Sequence, residues 1–120
     1  MRKITLIVAL IGLSIAANAQ SVKLQSAISD LRNGRLNKAK ANIDAAAEHE
    51  DTKNDPKTWI YRGLIYCQLG APDVKDKYKG LCDNCFEVAY EAALRCKELD
   101  QTNEYKELNN SVFQAVGAAY

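Results

Sequence analysis

Four cysteines are the residues of this chain whose type and spacing could do chemistry. Cys82 and Cys85 form a C-x-x-C motif directly before a predicted helix, where the helix dipole lowers the pKa of a thiol. This placement suggests a redox pair. Redox enzymes that carry the motif place it after a strand, however, and no strand is predicted before Cys82. A c-type haem site is excluded because Phe86, and not a histidine, follows Cys85.

Other interpretations of the cysteines are structural. A zinc site could use all four, Cys67, Cys82, Cys85 and Cys96, but their spacings match no standard zinc pattern. Reduced thiols are a further alternative, and Cys67 and Cys96 fall at small helical positions where packing explains them. Export to an oxidising compartment favours a disulfide, in which Cys82 bonds to Cys85 or to another cysteine. We expect no metal and no cofactor.

The start of the chain has the pattern of a secretory signal peptide over residues 1–19. Arg2 and Lys3 are followed by an apolar run and then by a small-x-small site, which predicts cleavage before Gln20. The run is shorter than the roughly 20 apolar residues that span a bilayer. We therefore expect export to the periplasm or the extracellular space, with no membrane span in the mature chain.

The charge and composition of the rest limit both fold and partners. Without Arg2 and Lys3 the chain has 14 basic and 15 acidic residues, a net charge near −1. That balance predicts no nucleic-acid binding. The mature part is rich in alanine and has no alternating run of strand length, which predicts an all-α fold. The chain has neither a Ser/His/Asp set nor a phosphate-binding loop, so we expect no enzyme.

One stretch, residues 59–70, predicts a helix built for close packing. Trp59, Gly63 and Tyr66 lie on one stripe, a small residue between two large ones, which we call the socket. Asp55 and Pro56 predict the helix start, as N-cap and first helical residue. Gly70 is expected to end the helix as its C′ residue.

This pattern resembles the first helix of a tetratricopeptide repeat, and it recurs downstream. The residues that carry the recurrence are Phe113, Val116, Gly117 and Tyr120 for a first helix, and Ala39, Ile43 and Ala46, then Ala89, Ala93 and Cys96, for second helices. The chain thus resembles an exported bacterial tetratricopeptide-like protein. The resemblance implies a solenoid of helix-turn-helix repeats, with about five helices after the signal peptide.

The predicted domain covers residues 20–120. Repeat one spans 21–50, repeat two spans 55–100 with an inserted polar loop at 71–84, and a third repeat begins at 110–120. Lys23 and Asp30 depart from the family pattern, which we interpret as a solvent-facing terminal helix. No second helix follows Tyr120, so we expect a fragment of a longer repeat protein; otherwise Phe113, Val116 and Tyr120 would form an exposed apolar patch.

The resemblance implies binding of a protein or peptide partner in a concave groove lined by first helices. The predicted groove residues are apolar: Ile28, Leu31, Ile60, Leu64 and Cys67. Two other functions stay open. One is a thiol-active protein that uses Cys82 and Cys85, and the other is a helical module of an outer-membrane assembly or uptake complex.

Overall fold

The computed structural model describes residues 22–120 as helices joined by turns, with no strand in that part of the chain. The all-α prediction is therefore confirmed for these residues. The predicted signal peptide lies outside them. The helices are α1 (22–32), α2 (Leu36–Glu48), α3 (Pro56–Gly70), α4 (Cys85–Leu99) and α5 (Lys106–Ala119), with a short 3₁₀ helix at Asp76–Tyr78.

The start of α3 agrees with the sequence. Asp55 is the N-cap, and its Oδ1 accepts a hydrogen bond from the backbone N–H of Lys57 at 2.9 Å. Pro56 is the first helical residue, where a missing N–H costs nothing. One turn later, Nε1 of Trp59 donates to the carbonyl of Lys53 at 2.6 Å, which ties the helix to the preceding connector.

A buried carboxylate joins α1 to α2. Gly34 makes the turn between the helices with a φ of +74°, a conformation that favours glycine. Asp30 is buried, and its two carboxylate oxygens accept from Arg35 Nε at 3.0 Å and from Asn42 Nδ2 at 2.9 Å. Asp30, which departs from the family pattern, does not face solvent, because these two donors satisfy its charge inside the hairpin.

Helix α3 contacts α2, α4 and α5, and it is the centre of the core. The largest fully buried aliphatic side chains come from α2, α3 and α5: Ile43, Ile60, Ile65 and Val112. At Gly63, an added Cβ would lie 3.3 Å from both γ-carbons of Val112 and 3.6 Å from the carbonyl oxygen of Ala89. The small residue of the socket therefore receives α5 directly, with the fully buried Ala89 of α4 beside it.

The expectation for Gly70 was wrong. Gly70 is the last residue of α3, the C-cap is Ala71, and Gly70 has no positive φ. A Cβ on Gly70 would come within 2.8 Å of the Phe86 ring and 2.9 Å of the Cys85 Cβ. Glycine is needed there because the first turn of α4 rests on the end of α3, and not because the chain adopts a left-handed conformation.

The inserted loop is held to the core in its middle. Tyr78, in the 3₁₀ helix, is buried, and Val74 packs against the core cluster. After α4, Asp100 closes the next turn by accepting from the backbone N–H groups of Glu104 at 3.1 Å and Tyr105 at 2.8 Å. Because this turn is tight, α5 begins at Lys106, four residues before the predicted start of the third repeat.

Within residues 22–120, part of the predicted packing surface of the third repeat is exposed. Gly117 is exposed, and an added Cβ there would meet nothing within 4 Å. Tyr120 is 84% exposed, whereas Val116 is buried and Phe113 is partly buried against the core. The predicted apolar patch is thus reduced, with Val116 removed from the open surface by its packing in the core.

Replacing Gly63 with leucine should destabilise the fold by roughly 1–3 kcal/mol or more, because the new side chain overlaps Val112 in a filled core. Gly117→Leu is the matched control: the same substitution in α5 meets open space and should not lower stability. Urea unfolding followed by circular dichroism measures both variants. Equal unfolding midpoints for Gly63→Leu and the unaltered chain would show that α5 does not rest on Gly63.

Candidate functional site

The predicted peptide groove is only partly available to a ligand. Ile60 is fully buried and Ile28 nearly so, and both belong to the core. Leu31, Leu64 and Cys67 are partly buried and pack against that core. The prediction is therefore corrected at Ile28 and Ile60, whose side chains lie in the core, while Leu31, Leu64 and Cys67 stay partly accessible.

A different apolar surface is open between the last two helices. Tyr90 and Leu94 lie one turn apart on α4 and are 45% and 41% exposed. Phe113 of α5 meets Tyr90 edge-on, with ring centroids 5.8 Å apart. We call this surface the α4–α5 face; its open residues are Phe86, Tyr90, Leu94, Phe113 and Tyr120, and the buried Val116 lines the cavity beside them.

The two helices run antiparallel along the α4–α5 face. Asn109, early in α5, donates through Nδ2 to the carbonyl of Ala93 at 2.8 Å. Tyr90, earlier in α4, meets Phe113, and the first turn of α4 lies beside Tyr120 at the end of the chain. Residues progressively earlier in α4 thus contact residues progressively later in α5, and the face is a shallow groove between these two antiparallel helices.

An open cavity of about 390 Å³ lies in this groove. Its walls are mainly apolar and aromatic, from Phe86, Tyr90, Val116 and Tyr120, while Glu87 and Glu91 stand on its rim. Both glutamates are exposed on α4. An apolar floor with an acidic edge suits a ligand that combines apolar side chains with positive charge.

The predicted cysteine pair is bonded. Cys82 and Cys85 form a disulfide, with their Cα atoms 5.3 Å apart. Cys85 is the first residue of α4 and is buried, whereas Cys82 lies near the end of the inserted loop and is partly exposed. A ring closed between such near neighbours restricts the unfolded chain little, by about 2 kcal/mol. The bond therefore acts mainly on local geometry, tying the loop to the first turn of α4.

A second cavity lies on the loop side of this disulfide. It has a volume of about 430 Å³ and is bordered by the end of α3, the inserted loop and the start of α4, with both disulfide cysteines in its wall. Phe86, Glu87 and Tyr120 line this cavity and also the one in the α4–α5 face. The disulfide and the apolar groove are thus neighbouring parts of one surface.

The thiols of Cys67 and Cys96, which form no disulfide, are weak nucleophiles near neutral pH. Burial raises the pKa of Cys67 to about 11. Burial also raises the pKa of Cys96 to about 11, and the nearby Asp100 carboxylate adds to the effect. Only the thiolate is a nucleophile, so neither residue exchanges readily with a disulfide near neutral pH.

A polar cluster joins α2 to α3, and sequence analysis missed it. The Tyr66 hydroxyl donates to the carboxylate of Asp44, at 2.8 Å from Oδ1, and Lys40 Nζ donates to Oδ2 at 2.9 Å. Arg62 lies over the rings of Trp59 and Tyr66, 5.6 and 5.3 Å from their centroids. The one available signal was the four-residue spacing of Lys40 and Asp44 on a helix.

The cluster joins α2 to α3 through hydrogen bonds and ion pairs centred on Asp44. The hydrogen bond to Asp44 raises the pKa of Lys40, which stays charged. Burial raises the pKa of Tyr66, with a further contribution from its bond to Asp44, so the phenol stays neutral. Tyr66 belongs to the core cluster, and Trp59 packs partly buried against it.

Residues 22–120 contain neither a metal-binding cluster nor a membrane-spanning helix. No group of three or more His, Cys, Asp or Glu side chains there is placed to hold a metal ion. No helix in this part of the chain is both long and apolar enough to cross a bilayer.

Iodoacetamide should label Cys67 and Cys96 of the native chain at pH 8 roughly a hundredfold or more slowly than a free cysteine peptide, because so little thiolate is present. Unfolding without reductant should make both react rapidly, and prior reduction should add Cys82 and Cys85. Mass spectrometry counts the labels. Fast labelling of either residue in the native chain would contradict their burial, and four labels without reduction would contradict the disulfide.

Comparison with known proteins adds no identification. No protein-family model, no curated protein and no solved structure matches this chain. What the protein does must therefore be argued from the geometry of its own residues.

Proposed function

We propose that this protein is an exported, non-catalytic interaction scaffold of tetratricopeptide-like repeats, and that it binds an amphipathic helix of a protein partner. The observation that carries the proposal is the α4–α5 face, where aromatic and aliphatic side chains stand open beside a cavity of about 390 Å³. The proposal therefore places the binding surface on the α4–α5 face and not on the predicted stripe of α3.

The contacts of α3 support a repeat arrangement. It packs on α2 before it and α4 after it, and also on α5, the second helix along the chain. Stacked helical hairpins produce such contacts because equivalent helices of successive repeats lie side by side. In that arrangement, α1–α2 and α3–α4 are the two hairpins, and α5 occupies the first-helix position of a third.

A helix is the ligand that fits the face best. The groove between antiparallel α4 and α5 presents its anchors in a line along the helix axes, as amphipathic helices require for contacts at i, i+3, i+4 and i+7. Tyr90 and Phe113 already touch edge-on, so one ring supports the other. Such supported aromatic side chains carry much of the affinity in helix-in-groove complexes.

Charge narrows the choice of partner. Glu87 and Glu91 are exposed on the rim of the groove, one helical turn apart. A guest helix with lysine or arginine beside its apolar stripe would place positive charge against them, whereas an acidic guest would be repelled. We therefore commit to a basic amphipathic helix of another protein.

A thiol-active protein is the second candidate, favoured by the Cys82–Cys85 disulfide at the start of α4. Such a protein would form mixed disulfides with its substrates, and a Cys85→Ser variant would trap them at Cys82. A scaffold would trap nothing specific.

Two synthetic helices with the same leucine stripe, one flanked by lysine and one by glutamate, test the proposed partner. Fluorescence anisotropy should give a Kd for the lysine peptide that is about tenfold or more lower, because only this peptide complements Glu87 and Glu91. Leu94→Asp and Tyr90→Asp should each weaken binding of the lysine peptide by about tenfold or more, since they put charge into the groove.

Val22→Asp is the matched control, because Val22 is an equally open apolar residue of α1 away from the α4–α5 face. It should bind the lysine peptide like the unaltered chain. Circular dichroism checks that all variants stay helical. Absence of binding by the lysine peptide, or equal binding of both peptides, would overturn the proposal.

A further inference from the structure

The disulfide adjoins the α4–α5 face. Phe86 follows Cys85 directly, and its ring lies against Gly70, where an added Cβ would be 2.8 Å away. Phe86, Glu87 and Tyr120 each border both cavities, the one beside the disulfide and the one in the groove. A change in the position of Cys85 therefore also affects Phe86, the next residue, which forms a wall of the proposed docking groove.

We propose that the Cys82–Cys85 disulfide is a redox modification site which controls the α4–α5 face: a dithiol reductant opens it, the first turn of α4 loosens, and the affinity for the basic helix falls. The inference rests on the proposed function, since it assigns a regulation to that same docking surface.

The start of α4 lacks the usual means of holding its first turn. Asn84 is the N-cap, but its side chain makes no capping hydrogen bond. Helix ends without a cap fray, since their first N–H groups have no partner within the helix. The disulfide holds this turn covalently to the loop. The buried Cys85 and the contact of Phe86 with Gly70 also restrain the turn against the core, so cutting the bond removes the tie to the loop and leaves Phe86 and Glu87 positioned by packing alone.

The exchange can proceed at the exposed end of the disulfide. Cys82 is partly exposed and Cys85 is buried, so an incoming thiolate reaches the sulfur of Cys82. The S–S bond breaks, and Cys85 leaves as a thiolate at the N-terminus of α4, where the helix dipole stabilises it. The reductant's second thiol then attacks the mixed disulfide. The protein gains two electrons and two protons, and the dithiol becomes a disulfide.

The other cysteines do not divert this reaction. Cys96 is fully buried, and Cys67 packs against the core. Neither is ionised near neutral pH, so neither attacks a disulfide readily. When an oxidised dithiol accepts the two electrons, Cys82 attacks its disulfide bond and Cys85 then displaces the dithiol from Cys82, which releases the reduced dithiol and restores the Cys82–Cys85 bond. The switch is therefore reversible within one pair.

Hydrogen exchange and peptide binding, each measured before and after treatment with dithiothreitol, test the proposal. Reduction should raise amide exchange at residues 81–88 by about tenfold or more, while α2 and α3 keep their protection. The Kd of the lysine-flanked peptide should rise by about fivefold or more. A Cys82→Ser/Cys85→Ser variant should behave like the reduced chain in both conditions, and Cys67→Ala should respond like the unaltered chain.

The outcomes separate the two proposals. If the lysine peptide binds equally well before and after reduction, the redox control is overturned and the docking function stands. If the peptide binds in neither state, the docking function fails, and the control of it fails too. A loss of all helical signal on reduction would also overturn the control, because it would make the disulfide a global staple instead of a local one.

Discussion

Helix α3 lies closer to its neighbours than ordinary side chains would allow, because glycine stands at two of its contact points. At Gly63, the γ-carbons of Val112 in α5 occupy the space where a Cβ would press, and at Gly70 the Phe86 ring and Cys85 of α4 do the same. The contacts lie two turns apart, so they fix both the distance and the position of α4 and α5 along α3. Dense packing makes such contacts intolerant of even one added methylene.

Local signals in the sequence were sufficient for the all-α class and for the start of α3, and they indicated a disulfide without fixing the partner of Cys82. Asp55 and Pro56 define the start of α3 by short-range chemistry, and Cys82 and Cys85 are too close in the chain to need a long-range contact. Gly70 shows the limit of such signals. A glycine after an apolar run is expected as a C′ residue and also at a close helix contact, and only the arrival of α4 distinguishes the two.

The candidate site was harder to predict because it depends on which surfaces other helices cover. Ile60 and Leu64 follow the same spacing, yet Ile60 is fully buried and Leu64 only partly. When a helix has two apolar stripes, its sequence alone does not predict which stripe is exposed to solvent. Asp30 and Tyr78 were missed for a related reason: their burial depends on donors or walls elsewhere in the chain, such as Asn42 for the carboxylate of Asp30.

The first turn of α4 is where the fold and the proposed function meet. Docking of a helix is strongest when the groove is already ordered, because each side chain that must be immobilised on binding reduces the affinity. Phe86 is partly buried against the core with its ring beside Gly70, and the disulfide holds the preceding residue, Cys85, so the open side of Phe86 can form a wall of the proposed groove. A helix start fixed by a side-chain cap would be permanent, whereas one fixed by a disulfide depends on the thiol chemistry around it. Part of the rigidity of the proposed docking groove therefore comes from a covalent bond that a dithiol reductant can break.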